Sequence, residues 1–204
     1  MLRVGLAKGR LCEAAIESFK KLDLNQVIDL KSRKLVFNDF ENNIEYILLK
    51  PSDVVTYVEN GVCDLGVVGS DVIMEREETV YELADLNFGK CKFSIATMED
   101  KKDIMSLDKV RVATKYPNVA KRYFDEMNKE IEIIPLNGSV ELAPLVGLAD
   151  CIVDIVETGN TLRANNLIVV EDMHEVSARL ICNSISYRFH QPTLIKWVEQ
   201  LEEA

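Results

Sequence analysis

Short apolar runs alternate with segments of helical periodicity along almost the whole chain. Residues 2–7 and 151–156 are apolar runs of strand length, whereas residues 11–22 carry apolar side chains at the spacing of one helix face. Strands are also predicted at 35–40, 44–49, 64–68, 91–97, 110–114 and 131–135, helices at 52–60, 118–127, 139–147 and after 69–71, and the segments 167–171, 177–183 and 193–201 complete the order. This alternation predicts an α/β fold.

One arrangement of helix, turn and strand occurs twice. Residues 52–68 predict a helix, a Gly-x-x-Asp turn and a buried strand, and residues 139–156 repeat this order. Ligands of open α/β sheets bind outside the carboxyl ends of the strands, so the repeat predicts two lobes whose polar turns face one cleft. The predicted lobes are 1–88 with 178–204, and 89–177. Chance similarity between two ordinary helix–turn–strand units is the alternative interpretation.

The acidic charge balance limits the partners of the chain. A net charge of −10 argues against a nucleic-acid-binding surface, and it requires that a polyanionic substrate be held by a local basic patch. Residues 3–10 and 31–34 supply two such patches, for which a solvated surface is the alternative interpretation. No apolar run approaches the roughly 20 residues that a membrane-spanning helix needs.

The five cysteines are scattered and show no Cys-x-x-Cys or Cys/His metal spacing. Cys63 and Cys151 begin apolar runs, where cysteine usually serves as a small core residue. This usage fits a reducing compartment. Met1 leads directly into a predicted strand rather than into a signal peptide. We therefore expect a cytoplasmic protein.

Polar chemistry follows the predicted strand at 151–156. That strand carries one carboxylate, Asp154, and ends in the sequence ETGNT (157–161) at the start of a helix. Backbone N–H groups at a helix start, threonine hydroxyls and the close approach that Gly159 permits all suit a phosphate. Asp154 and Glu157 suit ribose hydroxyls or Mg²⁺. The pattern predicts a site for a phosphorylated sugar, with a turn-satisfying or helix-capping role as the alternative for Asp154.

The segment ELAPLVGLADCIVDIVETGNTL (141–162) resembles the signature of the ATP phosphoribosyltransferases, the first enzymes of histidine biosynthesis. Further matching motifs lie at 6–11, 50–61, 64–72, 114–118 and 138–141, so the resemblance covers essentially the whole chain. It implies an α/β, two-lobed, periplasmic-binding-protein-like fold with a ligand cleft between the lobes. Because the chain stops at Ala204, it resembles the short form, which works as a dimer within a hetero-oligomer with a regulatory subunit similar to histidyl-tRNA synthetase.

The resemblance also implies a reaction. N1 of the adenine of ATP attacks C1 of phosphoribosyl pyrophosphate (PRPP), and pyrophosphate leaves with Mg²⁺ that the substrate carries, so no metal ligand is assigned to the protein. No protein nucleophile is needed, and His174 and His190 are expected to be surface or structural residues. Catalysis is expected from positioning and from cations that stabilise the departing charge.

The matching motifs assign roles to particular residues. We expect the strand end and its loop to bind PRPP through Asp154, Glu157, Thr158, Gly159, Asn160 and Thr161. Basic residues are expected to act in catalysis on pyrophosphate or ATP phosphates, namely Lys8, Arg10 and Arg33, with Lys50 beside them. A second group is expected to bind ATP or pyrophosphate, namely Gly69, Ser70 and Asp71, with a helix N-cap as the alternative, and Tyr116, with a core aromatic residue as the alternative.

Two points keep other interpretations open. Lys50 and Lys92 stand where the family usually has arginine, and Asn160 stands where a basic or hydroxyl residue is common; lysine keeps the charge but loses the two-pronged geometry of arginine. The two-lobed repeat alone also fits a non-catalytic small-molecule binding or regulatory module. Turnover of PRPP distinguishes an enzyme from such a module.

Overall fold

The computed structural model describes residues 1–24, 27–76 and 79–202. In chain order its elements are β1 (Leu2–Ala7), α1 (Arg10–Phe19), β2 (Val36–Asp39), β3 (Ile44–Leu49), α2 (Val54–Glu59), β4 (Leu65–Gly69), α3 (Ser70–Arg76), β5 (Tyr81–Asp85), β6 (Cys91–Met98), β7 (Lys109–Thr114), α4 (Pro117–Glu126), β8 (Glu130–Pro135), α5 (Leu142–Leu145), β9 (Cys151–Val156), α6 (Asn160–Ala164), β10 (Leu167–Val176), β11 (Ala178–Cys182) and α7 (Ser184–Glu202). These elements confirm the predicted α/β class. None of the helices in the described ranges combines the length and the apolar content that a bilayer crossing requires.

The chain divides into two compact units. The first consists of Met1–Ile73, Glu77–Gly89 and Ser177–Ala204, and the second of Met74–Arg76 and Lys90–Val176. The lobes expected from the sequence differ from these units by one residue at each junction, and they assign residues 74–76 to the first lobe. Neither unit is continuous in sequence.

Each unit contains one mixed sheet, and the two sheets share an order of strands and directions. The first sheet is ordered β2-β3-β1-β4-β11-β5 and the second β10-β6-β9-β7-β8. In the first, β1 lies parallel to β3 and β4, and β11 runs antiparallel to β4 and β5. In the second, β7 lies parallel to β8 and β9, and β6 runs antiparallel to β9 and β10. The repeat seen in the sequence therefore extends to the topology, which argues against chance similarity.

The central strands are apolar because both faces of each sheet are buried. In β4, Leu65 and Val67 pack into the same cluster as Phe19 of α1 and Trp197 of α7, whose ring centroids lie 6.0 Å apart. The next residue, Val68, points to the opposite cluster, which contains the valines of α2. The second sheet likewise contributes alternate residues of β9 to two clusters.

The glycine of each Gly-x-x-Asp turn ends the helix before a central strand. Gly61 and Gly147 have φ of +69° and +74°, the left-handed conformation that glycine adopts without steric cost. The residue after each glycine donates its N–H to a carbonyl five residues earlier, at 2.9 Å in both turns. The two turns therefore share one hydrogen-bonding pattern.

The aspartate of each turn holds the neighbouring strand. Asp64 Oδ2 accepts the backbone N–H of Arg3 at 2.8 Å, and Asp150 Oδ2 accepts that of Arg111 at 2.9 Å. In return, the N–H of Asp64 donates to the carbonyl of Arg3 at 2.9 Å, and that of Asp150 to the carbonyl of Arg111 at 2.8 Å. These bonds fix the register where the central parallel strands begin and leave their carboxyl ends available for chemistry.

Three of the departures from the local predictions have a physical explanation. Helix α5 spans only four residues instead of 139–147, because Ser139, with φ of +47°, and Gly147, with φ of +74°, both lie outside the helical region. Strand β5 was not predicted, since its sequence YELAD is polar and largely exposed. Helix α7 begins earlier than predicted and continues through Pro192, because Leu194 and Trp197 are buried in the core.

Candidate active site

Parallel strands of the first sheet end at one edge and present two lysines. Ala7 pairs with Leu49, so β1 and β3 end level with each other, and β4 continues beside β1 in parallel register. Lys8 and Lys50 follow these two strands directly, and both are exposed. The N–H of Lys8 donates to the carbonyl of Leu49 at 2.8 Å, which holds the two strand ends together. This is the end of an α/β sheet at which ligands bind.

Two arginines belong to the same edge. Gly9, with φ of +100°, turns the chain from β1 into α1, and Arg10 is the exposed first residue of that helix. Strand β2 runs antiparallel to β3, so the chain that precedes β2 lies at the Lys50 end, where Arg33 is exposed. We call these four cations the basic edge: Lys8, Arg10, Arg33 and Lys50. The strand order thus assigns these four basic residues to one edge of the first sheet.

The turn after β4 is a structural junction. Ser70 is 2% exposed; its N–H donates to the carbonyl of Ser177 at 2.9 Å, and its Oγ accepts the N–H of Ser177 at 3.2 Å. A Cβ on Gly69 would lie 2.1 Å from Oδ1 of Asp71, so a larger residue there would displace the Asp71 carboxylate. The expectation that Ser70 binds ATP is therefore corrected, because its hydroxyl is buried and holds the start of β11.

The predicted sugar-phosphate loop lies at the carboxyl end of β9. Glu157, Thr158, Asn160 and Thr161 are exposed, and Gly159 precedes α6 with φ of +70°. Because parallel register pairs Val153 with Thr114, β9 ends at the same edge as β7. We call residues 157–161 the phosphate loop. Its hydroxyl, amide and backbone groups are accessible, as binding of a phosphate requires.

Asp154 lies on β9 just before this loop. It is half-buried, it faces the strand β6 opposite Ser94, and its Oδ1 accepts the N–H of Ile155 at 2.9 Å. The last three residues of β9 are more exposed than the first three, so the carboxylate is not isolated in an apolar interior. A partly solvated carboxylate at a strand end suits recognition of hydroxyl groups.

Sequence analysis missed Arg163, whose side chain returns to the phosphate loop. Its Nη2 donates to the carbonyl of Thr158 at 2.9 Å and to Oδ1 of Asn160. Its Nη1 lies 3.1 Å from the position that a Cβ on Gly159 would occupy. The available signal was its position in the sequence. Residues three or four positions apart are neighbours on one face of a helix, and Arg163 follows Asn160 by three residues and Gly159 by four.

Lys115 was also missed. It follows β7 directly, as Lys8 follows β1, and both strands are central in their sheets. The buried Thr114 Oγ1 donates to the carbonyl of Val153 at 2.7 Å and accepts the N–H of Tyr116 at 2.8 Å, which fixes the chain where it leaves the sheet. Lys115 is exposed at the edge that carries Asp154. Comparison of the equivalent strands β1 and β7 therefore identifies Lys115 as a candidate site residue.

Tyr116 does not occupy a ligand site. The residue is 4% exposed, and its ring packs edge-to-face on Phe93 at 4.9 Å within the core of the second unit. Its expected contact with adenine is therefore corrected in favour of the alternative, a core aromatic residue. Burial stabilises the ring by roughly 1.5–3 kcal/mol, which stacking on a surface ligand would forfeit.

The N-terminus of α4 already has an anionic partner. The carboxylate of Glu75 accepts the N–H of Asn118 and that of Val119, each at 3.0 Å, and the carbonyl of Glu75 accepts from the Asn118 amide at 2.9 Å. A phosphate at this helix would have to displace a carboxylate. The phosphate loop is therefore the better anion site at this edge.

Several cysteine and histidine side chains in the described ranges have structural environments. Burial raises the pKa of Cys151 to about 12 and those of Cys12 and Cys63 to about 11, so these thiols stay protonated and unreactive at neutral pH. His174 is exposed and packs edge-to-face on Tyr123 at 5.7 Å. Across the residues that the structure describes, no three His, Cys, Asp or Glu side chains are grouped so as to hold a metal ion.

Comparisons of the sequence identify its relatives. The family model of ATP phosphoribosyltransferase (HisG) matches residues 50–203. The ATP phosphoribosyltransferase of Clostridioides difficile is 54% identical over 202 residues, covering 99% of this chain and 97% of the relative. That of Clostridium botulinum is 49% identical over 205 residues, with the same coverage. That of Clostridium kluyveri is 44% identical over 203 residues, covering 98% and 92%.

Solved structures add a likeness of fold. The ATP phosphoribosyl transferase (HisG:HisZ) complex from Thermotoga maritima matches with a TM-score of 0.84 and 34% identity, covering 100% of this chain and 98% of that chain. The periplasmic aliphatic sulphonate binding protein of Escherichia coli matches with a TM-score of 0.65 and 12% identity, covering 99% and 71%. The second likeness is one of fold alone, and it confirms the expected periplasmic-binding-protein-like architecture.

Proposed function

Because this chain belongs to the ATP phosphoribosyltransferase family, we propose that the phosphate loop and the basic edge bind the two substrates of that reaction. The chain is a phosphoribosyltransferase, a glycosyltransferase of the first step of histidine biosynthesis. N1 of the adenine of ATP attacks C1 of PRPP, and pyrophosphate leaves. The alternative, a non-catalytic binding or regulatory module, is not favoured, because the likeness to the sulphonate binding protein is limited to the fold.

The phosphate loop is proposed to bind the ribose 5-phosphate of PRPP. The main support for this site is the exposed turn at the carboxyl end of β9, where Gly159 adopts a left-handed conformation between Thr158 and Thr161. Hydroxyl and backbone donors converge there without a Cβ in their way. Asp154 is proposed to accept from the ribose hydroxyls, and Glu157 to contribute beside it. Lys115 supplies a cation that offsets these two carboxylates.

The basic edge is proposed to hold the pyrophosphate group or the phosphates of ATP. Its four cations are exposed at one strand edge of a chain whose net charge is −10, so they attract a polyanion against the overall field. Cations placed where charge develops lower the barrier more than they tighten substrate binding. Asp71 lies in the first turn of α3 beside this edge, and Gly69 permits that placement.

As a member of this family the chain acts with metal ions, and we propose Mg²⁺. Among the described residues, no three potential ligand side chains form a cluster. Asp154 and Glu157 could each supply one carboxylate oxygen at the loop. Such a donor set fits a cation that takes most of its ligands from substrate oxygens and water. When bound, Mg²⁺ neutralises charge on the pyrophosphate; the protein orients the sugar and the adenine.

The assembly is proposed by analogy with the Thermotoga maritima complex. We propose that this chain forms a dimer within a hetero-oligomer containing a HisZ-type regulatory subunit. A cytoplasmic location is proposed with it, which the free state of all five cysteines supports.

The test is an absorbance assay for phosphoribosyl-ATP with ATP, PRPP and Mg²⁺, run with and without a HisZ-type subunit. We expect product that depends on both substrates, and more of it when the subunit is present. A chain that binds PRPP but yields no product in either condition would support the binding-module alternative. If product forms but the subunit does not change its amount, the proposed assembly is refuted and the proposed reaction stands.

A further inference from the structure

Arg163 is the residue that joins both sides of the phosphate loop. One nitrogen, Nη2, donates to a backbone carbonyl on one side of Gly159, that of Thr158, and to a side-chain oxygen on the other side, that of Asn160. The backbone N–H of Arg163 also donates to the carbonyl of Gly159 at 3.0 Å. Three consecutive residues of the loop are therefore bonded to one arginine.

These bonds act on a segment that has few other constraints. Within the loop the hydrogen bond from the N–H of Asn160 to Thr158 Oγ1 is long, at 3.5 Å. Gly159 is the residue with the widest choice of backbone conformations, so its left-handed state must be selected by its surroundings. The guanidinium lies over the open side of that glycine, 3.1 Å from the position of a Cβ. The guanidinium therefore restricts the loop at Gly159, the residue whose backbone has the widest choice of conformations.

We propose that Arg163 is a positioning residue that fixes the phosphate loop in the conformation that receives the 5-phosphate of PRPP. This inference rests on the proposed PRPP site. Arg163 acts through Thr158, Gly159 and Asn160, and it keeps its positive charge beside the bound anion. Both N–H groups of Nη2 are held in the plane of the guanidinium, which fixes the two acceptor directions, whereas the ammonium group of lysine rotates on a flexible stem and has no fixed plane.

The experiment compares Arg163→Met and Arg163→Lys with the wild-type chain in its complex with the HisZ-type subunit. The steady-state KM for PRPP, the KM for ATP and kcat are measured separately. Arg163 is exposed and lines an open cavity with Glu99 and Asp100, so these changes leave no buried void and the variants should fold. Arg188→Met is the matched control, since it removes an exposed arginine from helix α7 in the first unit.

We expect Arg163→Met to raise the KM for PRPP about tenfold, the scale of a lost charge-assisted hydrogen bond, with the KM for ATP unchanged. Arg163→Lys should recover only part of this loss. In a double-mutant cycle, Asn160→Ala and Arg163→Met should be less than additive, because both remove the same bond. Full recovery by lysine, an unchanged KM for PRPP, or equal increases for both substrates would overturn the proposal.

Hydrogen exchange of the backbone amides of 157–161, measured without substrates, tests the role of Arg163 independently of the proposed function. Arg163→Met should speed exchange in this loop and leave exchange in β9 unchanged; unaltered loop exchange would overturn the proposal. If the wild-type complex makes no phosphoribosyl-ATP, the proposed function fails, and calorimetric binding of PRPP replaces KM. A matching loss of PRPP affinity in Arg163→Met would then still support Arg163, and an unchanged affinity would refute it.

Discussion

Replacing Gly159 by alanine should loosen the phosphate loop by a predictable amount. At φ of +70° and ψ of 8°, an L-residue is destabilised by about 1–2 kcal/mol relative to glycine. The new Cβ would also lie 3.1 Å from Nη1 of Arg163, so the guanidinium must shift and weaken its bond to Thr158. For a chain of 204 residues, this corresponds to a fall in Tm of about 2–8 °C. Loss of about 1 kcal/mol of loop preorganisation raises the KM for PRPP about fivefold.

The matched control is Gly138→Ala. A Cβ at Gly138 meets no heavy atom within 4 Å, and its φ lies outside the left-handed region, so we expect no loss of stability and an unchanged KM. Calorimetry gives Tm, and the absorbance assay gives the KM for each substrate. The reasoning is refuted if Gly159→Ala keeps the wild-type Tm and KM for PRPP, or if Gly138→Ala loses as much.

Three further predictions concern the site and the fold. Asp154→Ala or Thr161→Ala should reduce kcat/KM for PRPP roughly tenfold or more with the fold intact by circular dichroism; wild-type kinetics would remove the residue from the site. Arg10→Glu should lower kcat strongly and affect Tm less, because Arg10 is exposed at the basic edge; normal turnover would exclude it from catalysis. Hydrogen bonds from Arg111 hold the pKa of Asp150 below its ordinary 3.8, so the paired carboxylate stabilises the folded state above that pH and the contribution is lost as the pH falls below it. Asp150→Asn should therefore be less stable at pH 7, and its unfolding free energy in urea should decline less between pH 4 and pH 2; parallel pH profiles would contradict this.

Local sequence pattern was sufficient for most elements and for the position of the loop in the fold. Apolar runs identified the central strands because their burial on both faces demands apolar residues at every position. The order of polar residues at the end of β9 predicted a site at Asp154 and Thr161, and the structure places both residues near the carboxyl end of that strand. Lys8, Arg10 and Lys50 of the basic edge likewise come shortly after the parallel strands β1 and β3, whereas Arg33 precedes the antiparallel strand β2.

The misses depend on contacts that sequence neighbours do not reveal. Ser70 is held by Ser177, 107 residues away, so its burial had no local signal. Tyr116 is buried while Lys115 beside it is exposed, and only the packing of Phe93 decides which side chain turns inward. Arg163 reads as an ordinary helical surface residue until the left-handed Gly159 brings the loop beneath it.

The position of β11 in the first sheet has a consequence for the order in which the chain folds. All five strands of the second sheet lie between residues 91 and 176, whereas the first sheet must receive β11, from residues 178–182, between β4 and β5. Until β11 is synthesised, one edge of β4 has no partner, and such an edge is prone to association with other chains. The second unit should therefore mature before the first, although it comes later in the sequence. Limited proteolysis of ribosome-bound chains arrested before β11 emerges would test this: β7 and β9 should already resist cleavage while β4 is still cut, and the reverse pattern would contradict it.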